Sequence, residues 1–292
     1  MGVRTDLAVE TLDFAKELSP EGVEKKAFEK DGVEVTQVKI VSETGARLTG
    51  KPVGEYLTVE TSDFKTPTAN FERDVNVIAE LLAERIPRSS DQPVLVVGLG
   101  NQQITPDALG PKAVEYTLAT RHITGELASR IGLEGLQPVA VIAPGVLGQT
   151  GIESAEIVAS VAASLKPSCV VVIDALAARS VDRLATTVQI SDAGINPGSG
   201  VQNSRKALSR ETLGVPVISV GVPMVVDMTT VAYDMLGEGG ESEKVSDKGR
   251  TMMVTPREID LAIEHAAKTV AFAINRALQP SLTLEELMGL AG

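Results

Sequence analysis

Two aspartates carry the most chemistry in this 292-residue sequence. Asp107 closes the run that begins Gly98-Leu-Gly-Asn and follows the apolar stretch Val94 to Val97. Asp174 follows directly on Cys169-Val-Val-Val-Ile173. Two carboxylates brought together in a partly desolvated site cannot both ionise easily. One pKa rises, and the pair then holds an acid and a base at the same pH. Such a pair can activate water against an amide and protonate the leaving nitrogen. Plainer roles fit the same residues, Asp107 as a helix cap and Asp174 as a cap on the next turn, and spacing alone favours these commoner uses. Asp227, after Val225-Val226, could join the pair as a third oxygen ligand of a hard metal. A carboxylate at a helix start is the simpler and favoured account of it.

Other motifs are weaker. Gly98-Leu-Gly100 continues with Gln103 where a dinucleotide fingerprint needs glycine. The sequence contains no GxxxxGK[ST], HExxH or GxSxG. The stretch Gly194 to Gly200 could cradle an anion or a peptide backbone, or be an ordinary loop. Cys169 opens an apolar strand and reads as an inert core thiol. His122 and His265 fall on separate helical segments.

The elements that must position the two aspartates follow from the hydrophobic pattern. Val94 to Val97, Val139 to Ile142, Cys169 to Ile173 and Val217 to Val220 are continuous apolar runs rich in β-branched residues. Runs without alternation are what a parallel sheet covered on both faces requires. Helical segments separate them, at about 111–131, 153–165, 204–213, 225–236 and 256–277, and a further strand is expected at 187–190. In such a sheet ligands bind beyond the carboxyl ends of the strands. The loops after these runs therefore shape the expected site, with Gly98, Gly100, Asn101 and Thr105 in the first and Gly145 and Thr150 in the second. Residues 1–68 differ in texture. Val33 to Ile40 alternates in the period of a half-buried strand, and Tyr56 to Glu60 is another candidate. Asn70 then reads as the N-cap of a helix over 71–86. The expected fold is α/β, a mostly parallel sheet with helices on both faces. It divides into an N-terminal β-rich subdomain, 1–68, and a catalytic domain, 69–292. The polar, glycine-rich stretch 237–249 reads as a mobile loop.

Composition limits the alternatives. One cysteine rules out an intrachain disulfide, and two histidines rule out a site needing three. With 39 acidic against 27 basic residues the net charge is −12, a field that repels phosphate backbones and argues against direct nucleic-acid binding. No run is long enough to span a membrane, and the first residues lack a signal-peptide core, so a cytoplasmic protein is expected.

Four blocks together resemble the germination protease family of spore-forming bacteria. They are Arg4 to Glu10 (Arg-Thr-Asp-Leu-Ala-Val-Glu), Val96 to Asn101 with Thr105 to Pro111, Pro144 to Glu153, and Val172 to Leu176, in the family's order. The resemblance implies an atypical aspartic endopeptidase, without cofactor or metal, whose core is similar to hydrogenase maturation endopeptidases. It implies degradation of small acid-soluble spore proteins in the spore core at germination, and a homotetramer. It places the catalytic pair on Asp107 and Asp174. It also implies a zymogen that cuts itself between Asp6 and Leu7, for which we expect Arg4 to pair with an acidic site residue. A metal-dependent peptidase and a non-catalytic binding module are the competing readings.

Overall fold

The computed structural model describes residues 5–12, 21–66, 70–87, 89, 91–123, 125–196, 206–236, 246 and 248–291. In chain order the strands are β1 (Val23–Lys30), β2 (Val33–Ile40), β3 (Gly54–Glu60), β4 (Val94–Gly98), β5 (Val139–Ile142), β6 (Cys169–Ala178), β7 (Thr187–Ser191), β8 (Val217–Asp227) and β9 (Met253–Val254). The helices are α1 (Ala8–Thr11), α2 (Glu43–Thr49), α3 (Phe71–Ala83), α4 (Leu109–Glu115), α5 (Gly125–Ile131), α6 (Leu147–Thr150), α7 (Ser154–Leu165), α8 (Arg210–Leu213), α9 (Met228–Leu236), α10 (Ile259–Leu278) and α11 (Leu284–Ala291).

Among the described residues, all nine strands join one sheet in the order β1-β2-β3-β7-β8-β6-β4-β5, with β9 on β8. The four apolar runs of the sequence supply the parallel strands β5, β4, β6 and β8. The N-terminal strands continue the same sheet through antiparallel pairing of β3 with β7 and β7 with β8. The fold is therefore mixed α/β, with its parallel strands at one side of the sheet.

Strand side chains alternate between faces, so each parallel strand feeds two cores. Val94, Val96, Val171 and Ile173 pack with α3, α4 and α10 on one face. Leu95, Val97, Val170 and Val172 pack with Ala155, Val158 and Ala162 of α7 on the other. Burying an aliphatic side chain of this size contributes roughly 1.5–3 kcal/mol, which explains how a chain with so few aromatics holds together. Among the described residues, no helix is long and apolar enough to cross a membrane.

Three expectations are corrected. The helix expected over 111–131 is two, α4 and α5, because Asn275 on α10 intervenes. Its Oδ1 accepts from the Leu118 N–H and its Nδ2 donates to the Tyr116 carbonyl, both at 2.8 Å, holding this stretch non-helical. Of the helix expected at 204–213 only α8 forms, capped by the Ser209 hydroxyl. Residues 204 and 205 lie outside the described residues. Strands β6 and β8 run well past Ile173 and Val220, since each pairs with the other as far as Ala178 and Val226.

Candidate active site

The length of β6 changes how Asp174 is placed. Asp174 lies within the strand, not at its end. Its partner on one side is Gly221 of β8. On the other side β4 stops at Gly98, opposite Ile173, and the Leu99 N–H closes on the Ile173 carbonyl at 2.8 Å. From Asp174 onward β6 has an edge that β4 does not cover. The Asp174 side chain is nearly buried, and its Oδ1 accepts from the Ala175 N–H at 3.0 Å.

Asp107 arrives from the other direction. After Gly98 the chain turns through residues 99–104 into a short 3-10 turn, Thr105–Asp107, and then into α4. Asp107 fastens this loop: its Oδ2 accepts from the Asn101 N–H at 2.8 Å, and its main-chain carbonyl accepts from the same group at 3.1 Å. Thr105 offers its carbonyl to the Ala108 N–H. Gly100 has φ +117°, and a Cβ there would lie 2.0 Å from the Asp107 carbonyl oxygen, so the turn demands glycine. Gly98 and Gly110 let α4 approach β4 closely, since a Cβ on Gly98 would fall 2.2 Å from the Gly110 carbonyl oxygen. The Asn101 side chain accepts from Gln149 Nε2 at 2.8 Å, tying this loop to α6. Gly145 and Thr150 shape that second loop. Gly145 turns it at φ +72° and accepts from the Ser154 hydroxyl, while Thr150 donates to the Val146 and Ile152 carbonyls.

Asp107, Asp174 and Gly100 line one cavity of about 1040 Å³. The far wall comes from α2, β3 and β7, with Lys51, Tyr56, Gln189 and Ser191. Asp227 instead caps α9, its Oδ1 accepting from the Thr229 N–H at 2.8 Å. Among the described residues no group of three His, Cys, Asp or Glu side chains converges as a metal site.

The cavity also holds part of its own chain, Thr5 and Asp6. The Asp6 N–H donates to the Ala177 carbonyl, and the Asp6 Oδ2 accepts from the Ala177 N–H, both at 2.8 Å. Residue 6 thus occupies the edge of β6 that β4 leaves uncovered. Gln189 takes the same segment from the side. Its Nε2 donates to the Asp6 carbonyl at 3.0 Å, and its Oε1 accepts from the Ala8 N–H at 2.8 Å. Lys51 Nζ donates to the Thr5 carbonyl at 2.8 Å. Burial pushes the Lys51 pKa down, and the Asp6 and Glu10 carboxylates push back without restoring it. Beyond Asp6 the chain enters the core: Leu7 and Val9 pack with Leu176, Ala178, Leu184 and Val226. Glu10 is buried and accepts from the Arg179 and Ser180 N–H groups at 2.7 and 3.0 Å. Arg4, expected to pair with an acidic site residue, lies outside the described residues, as do residues 197–200 of the Gly194 to Gly200 stretch and most of 237–249.

In the sequence Asp174 breaks one apolar run and Asp107 lies in the loop that follows another. Lys51 and Gln189 had no comparable signal, since each acts through a contact with a segment distant in sequence, and Glu10 entered only as the last residue of the Arg4 to Glu10 block. Chemically, the arrangement sets two carboxyl groups at the wall of a cavity large enough for an extended peptide, with main-chain donors and acceptors along its edge.

Known proteins match this chain along most of its length. The Peptidase_A25 family model, described as germination protease, matches residues 5–237. The germination protease of Caldanaerobacter subterraneus subsp. tengcongensis is 42% identical, over 98% of this chain and 97% of its own. Those of Clostridium tetani and Bacillus licheniformis are 39% and 37% identical, covering 98% and 96% of this chain and 98% and 94% of their own. Among solved structures, the [NiFe] hydrogenase maturation protease HycI from Thermococcus kodakarensis KOD1 aligns with 66% of this chain and 98% of its own, at 18% identity and a TM-score of 0.36. On the family match and on relatives of about 40% identity over nearly the full length, this chain belongs to the germination protease family and is a peptidase.

Proposed function

We propose that this peptidase is an aspartic-type endopeptidase that uses Asp107 and Asp174 to hydrolyse small acid-soluble spore proteins during germination. In the same reading it is a zymogen that removes its own N-terminal segment by cutting between Asp6 and Leu7, and it works in the spore core as a homotetramer. The observation that carries the reading is the shared cavity, lined by both aspartates and already entered by Thr5 and Asp6 of the same chain.

The chemistry needs one carboxylate and one carboxylic acid. The carboxylate takes a proton from water as the water oxygen bonds to the peptide carbonyl carbon. The acid gives its proton to the amide nitrogen as the C–N bond breaks. Both carboxyl groups line the same cavity, where one can serve as the base and the other as the acid. The net charge of −12 agrees with a protein substrate rather than a nucleic acid.

The test is conservative substitution. Asp107→Asn and Asp174→Asn each keep the side-chain oxygen that accepts from Asn101 or Ala175, so both variants should fold as the parent does. Each should lose cleavage of a spore-protein substrate, and of the Asp6–Leu7 bond, by about 100-fold or more. Normal cleavage by either folded variant removes that residue from the mechanism.

A further inference from the structure

The Asp6–Leu7 bond joins two residues that are held in different ways. Thr5 and Asp6 are held by polar contacts alone, from Ala177, Lys51 and Gln189. Leu7 is fully buried, its side chain packed with Leu176, Ala178, Leu184 and Val226, and the next residue keeps its N–H on Gln189 Oε1. None of these Leu7 and Ala8 contacts involves residues 1–6. A chain beginning at Leu7 therefore keeps its first nitrogen where the Leu7 N–H lies now. Beside that nitrogen is the Thr5 hydroxyl, which accepts from the Leu7 N–H at 3.0 Å and donates to Glu10 Oε2. One hydroxyl thus stands between the Leu7 nitrogen and a carboxylate, and it departs with the N-terminal segment. Glu10 stays behind. It is buried, its carboxylate accepts from the Arg179 and Ser180 N–H groups, and its own N–H donates to the Leu7 carbonyl at 3.3 Å. The other charged groups facing it are already engaged. Arg183 Nε lies 3.7 Å from Glu10 Oε1, but its Nη1 donates to Glu60 at 2.6 Å. Lys51 turns to the Thr5 carbonyl, and the Asp6 carboxylate sits on the Ala177 N–H. Arg179 and Asp182 line a small cavity of about 310 Å³ with Glu10, Glu60 and Arg183.

We propose that cutting the Asp6–Leu7 bond builds a buried ion pair, in which the new Leu7 ammonium replaces the Thr5 hydroxyl on Glu10. Hydrolysis adds water across the bond. The water oxygen, with one hydrogen, goes to the Asp6 carbonyl carbon, the other hydrogen goes to the Leu7 nitrogen, and one further proton from solvent completes the ammonium. That group brings three donors and a full charge where the hydroxyl brought one donor, and a charge-assisted hydrogen bond is the stronger kind. The pair ties the first residues of the processed chain to the turn after β6, the strand that carries Asp174. Processing thus leaves α1 anchored instead of fraying from the new terminus. The inference rests on the self-processing reading for the cut itself; the ion pair is tested however the cut is made.

The Leu7 terminus is made in two ways for the test. The wild type is left to process itself, and residues 7–292 are produced behind a tag whose hydrolase leaves Leu7 first. Acetylation of the Leu7 amino group by acetic anhydride is then followed by mass spectrometry between pH 7 and 10.5 in native buffer. Only the free amine reacts, so the rate reports its titration. An ordinary α-amino group titrates at about 7.7–8.0. In the folded processed chain the Leu7 group should titrate at least about one pH unit above that range. Glu10→Gln keeps a side-chain oxygen for the Arg179 and Ser180 N–H groups but carries no charge. In that variant the titration should return to the ordinary range, and acetylation at pH 8 should be at least about tenfold faster than in the parent. The parent's own titration decides the matter where the variant does not fold. A parent value less than one unit above the ordinary range, or the same value in both folded chains, overturns the ion pair. So does a chain beginning at Leu7 that does not fold. A wild type that never exposes Leu7, alongside a raised titration in the tag-released chain, overturns self-processing and leaves the ion pair standing.

Discussion

Glu10 shows how much of this site is decided by single side chains far apart in sequence. Its carboxylate is buried and serves the N–H groups of Arg179 and Ser180, just past the end of β6. It also accepts from the Thr5 hydroxyl and lies 3.7 Å from Arg183 Nε. Removing a buried acceptor strands its donors, at about 1–3 kcal/mol for each unpaired group. Glu10→Ala should therefore lower unfolding stability by about 2–4 kcal/mol. It should also loosen residues 5–8, seen as faster exchange of the Asp6 and Ala8 amides. A change below about 0.5 kcal/mol would mean that water replaces the carboxylate without penalty. The same long reach explains what could be read from sequence at this scale. Asp107 and Asp174 stood out because each follows a break in an apolar run, although β6 itself continues past Asp174. Glu10, Lys51 and Gln189 look like ordinary surface residues in their own neighbourhoods. Lys51 meets Thr5 across 46 residues and Gln189 meets Ala8 and Asp6 across 181 and 183, while Glu10 joins its local contact with Thr5 to Arg179 and Ser180, 169 and 170 residues away.

At the scale of elements, the parallel strands and the helices α3, α7 and α10 follow from apolar periodicity, because burial on both faces leaves an unmistakable pattern. The extent of β6 and β8 does not. Asp174 interrupts the apolar run, yet the strand continues because the Asp174–Gly221 pair and its successors still satisfy the ladder. β1 was hidden for another reason. Its charged residues suit an exposed sheet edge, although the Asp31-Gly32 turn that joins it to β2, with both φ values positive, is a strong hairpin signal. The packing of α4 on β4 matters most for function, since α4 begins two residues after Asp107. A Cβ on Gly110 would lie 2.3 Å from the Leu99 carbonyl oxygen and 2.6 Å from that of Ile173, both backbone atoms that cannot swing aside. Gly110→Ala should push α4 off the sheet and carry Asp107 with it. We expect a loss of about 1–3 kcal/mol in stability and at least a tenfold fall in peptide cleavage in protein that is still folded. Unchanged activity in the folded variant would show that the position of α4 does not set that of Asp107.

For the molecule as a whole, titratable groups buried against the sheet make its stability sensitive to alkali. Cys169 opens β6 in full burial, and burial pushes its thiol up to about 12. Burial also pushes the Tyr56 phenol well above its ordinary value, with the Asp192 carboxylate acting in the same direction. In the unfolded chain a thiol titrates near 8.5 and a phenol near 10. Above about pH 8.5 the unfolded chain therefore binds fewer protons than the folded one, and stability falls as pH rises. Lys51 acts oppositely, because its folded pKa is lowered: the unfolded chain holds that proton longer, and stability rises as pH climbs towards about 10.4. The two effects are separated by substitution. Between pH 9 and 10.5, Cys169→Ala should lose stability less steeply than the parent in urea titrations, by up to about 1.4 kcal/mol per pH unit. Lys51→Met should lose it more steeply than the parent. The same burial makes the thiol unreactive in the native state, since the thiolate is the nucleophile. Thiol reagents at neutral pH should label Cys169 only after unfolding and leave peptide cleavage intact. Parallel slopes for Cys169→Ala and the parent, or rapid labelling of the native protein, would show that this side of the sheet opens well before the chain unfolds.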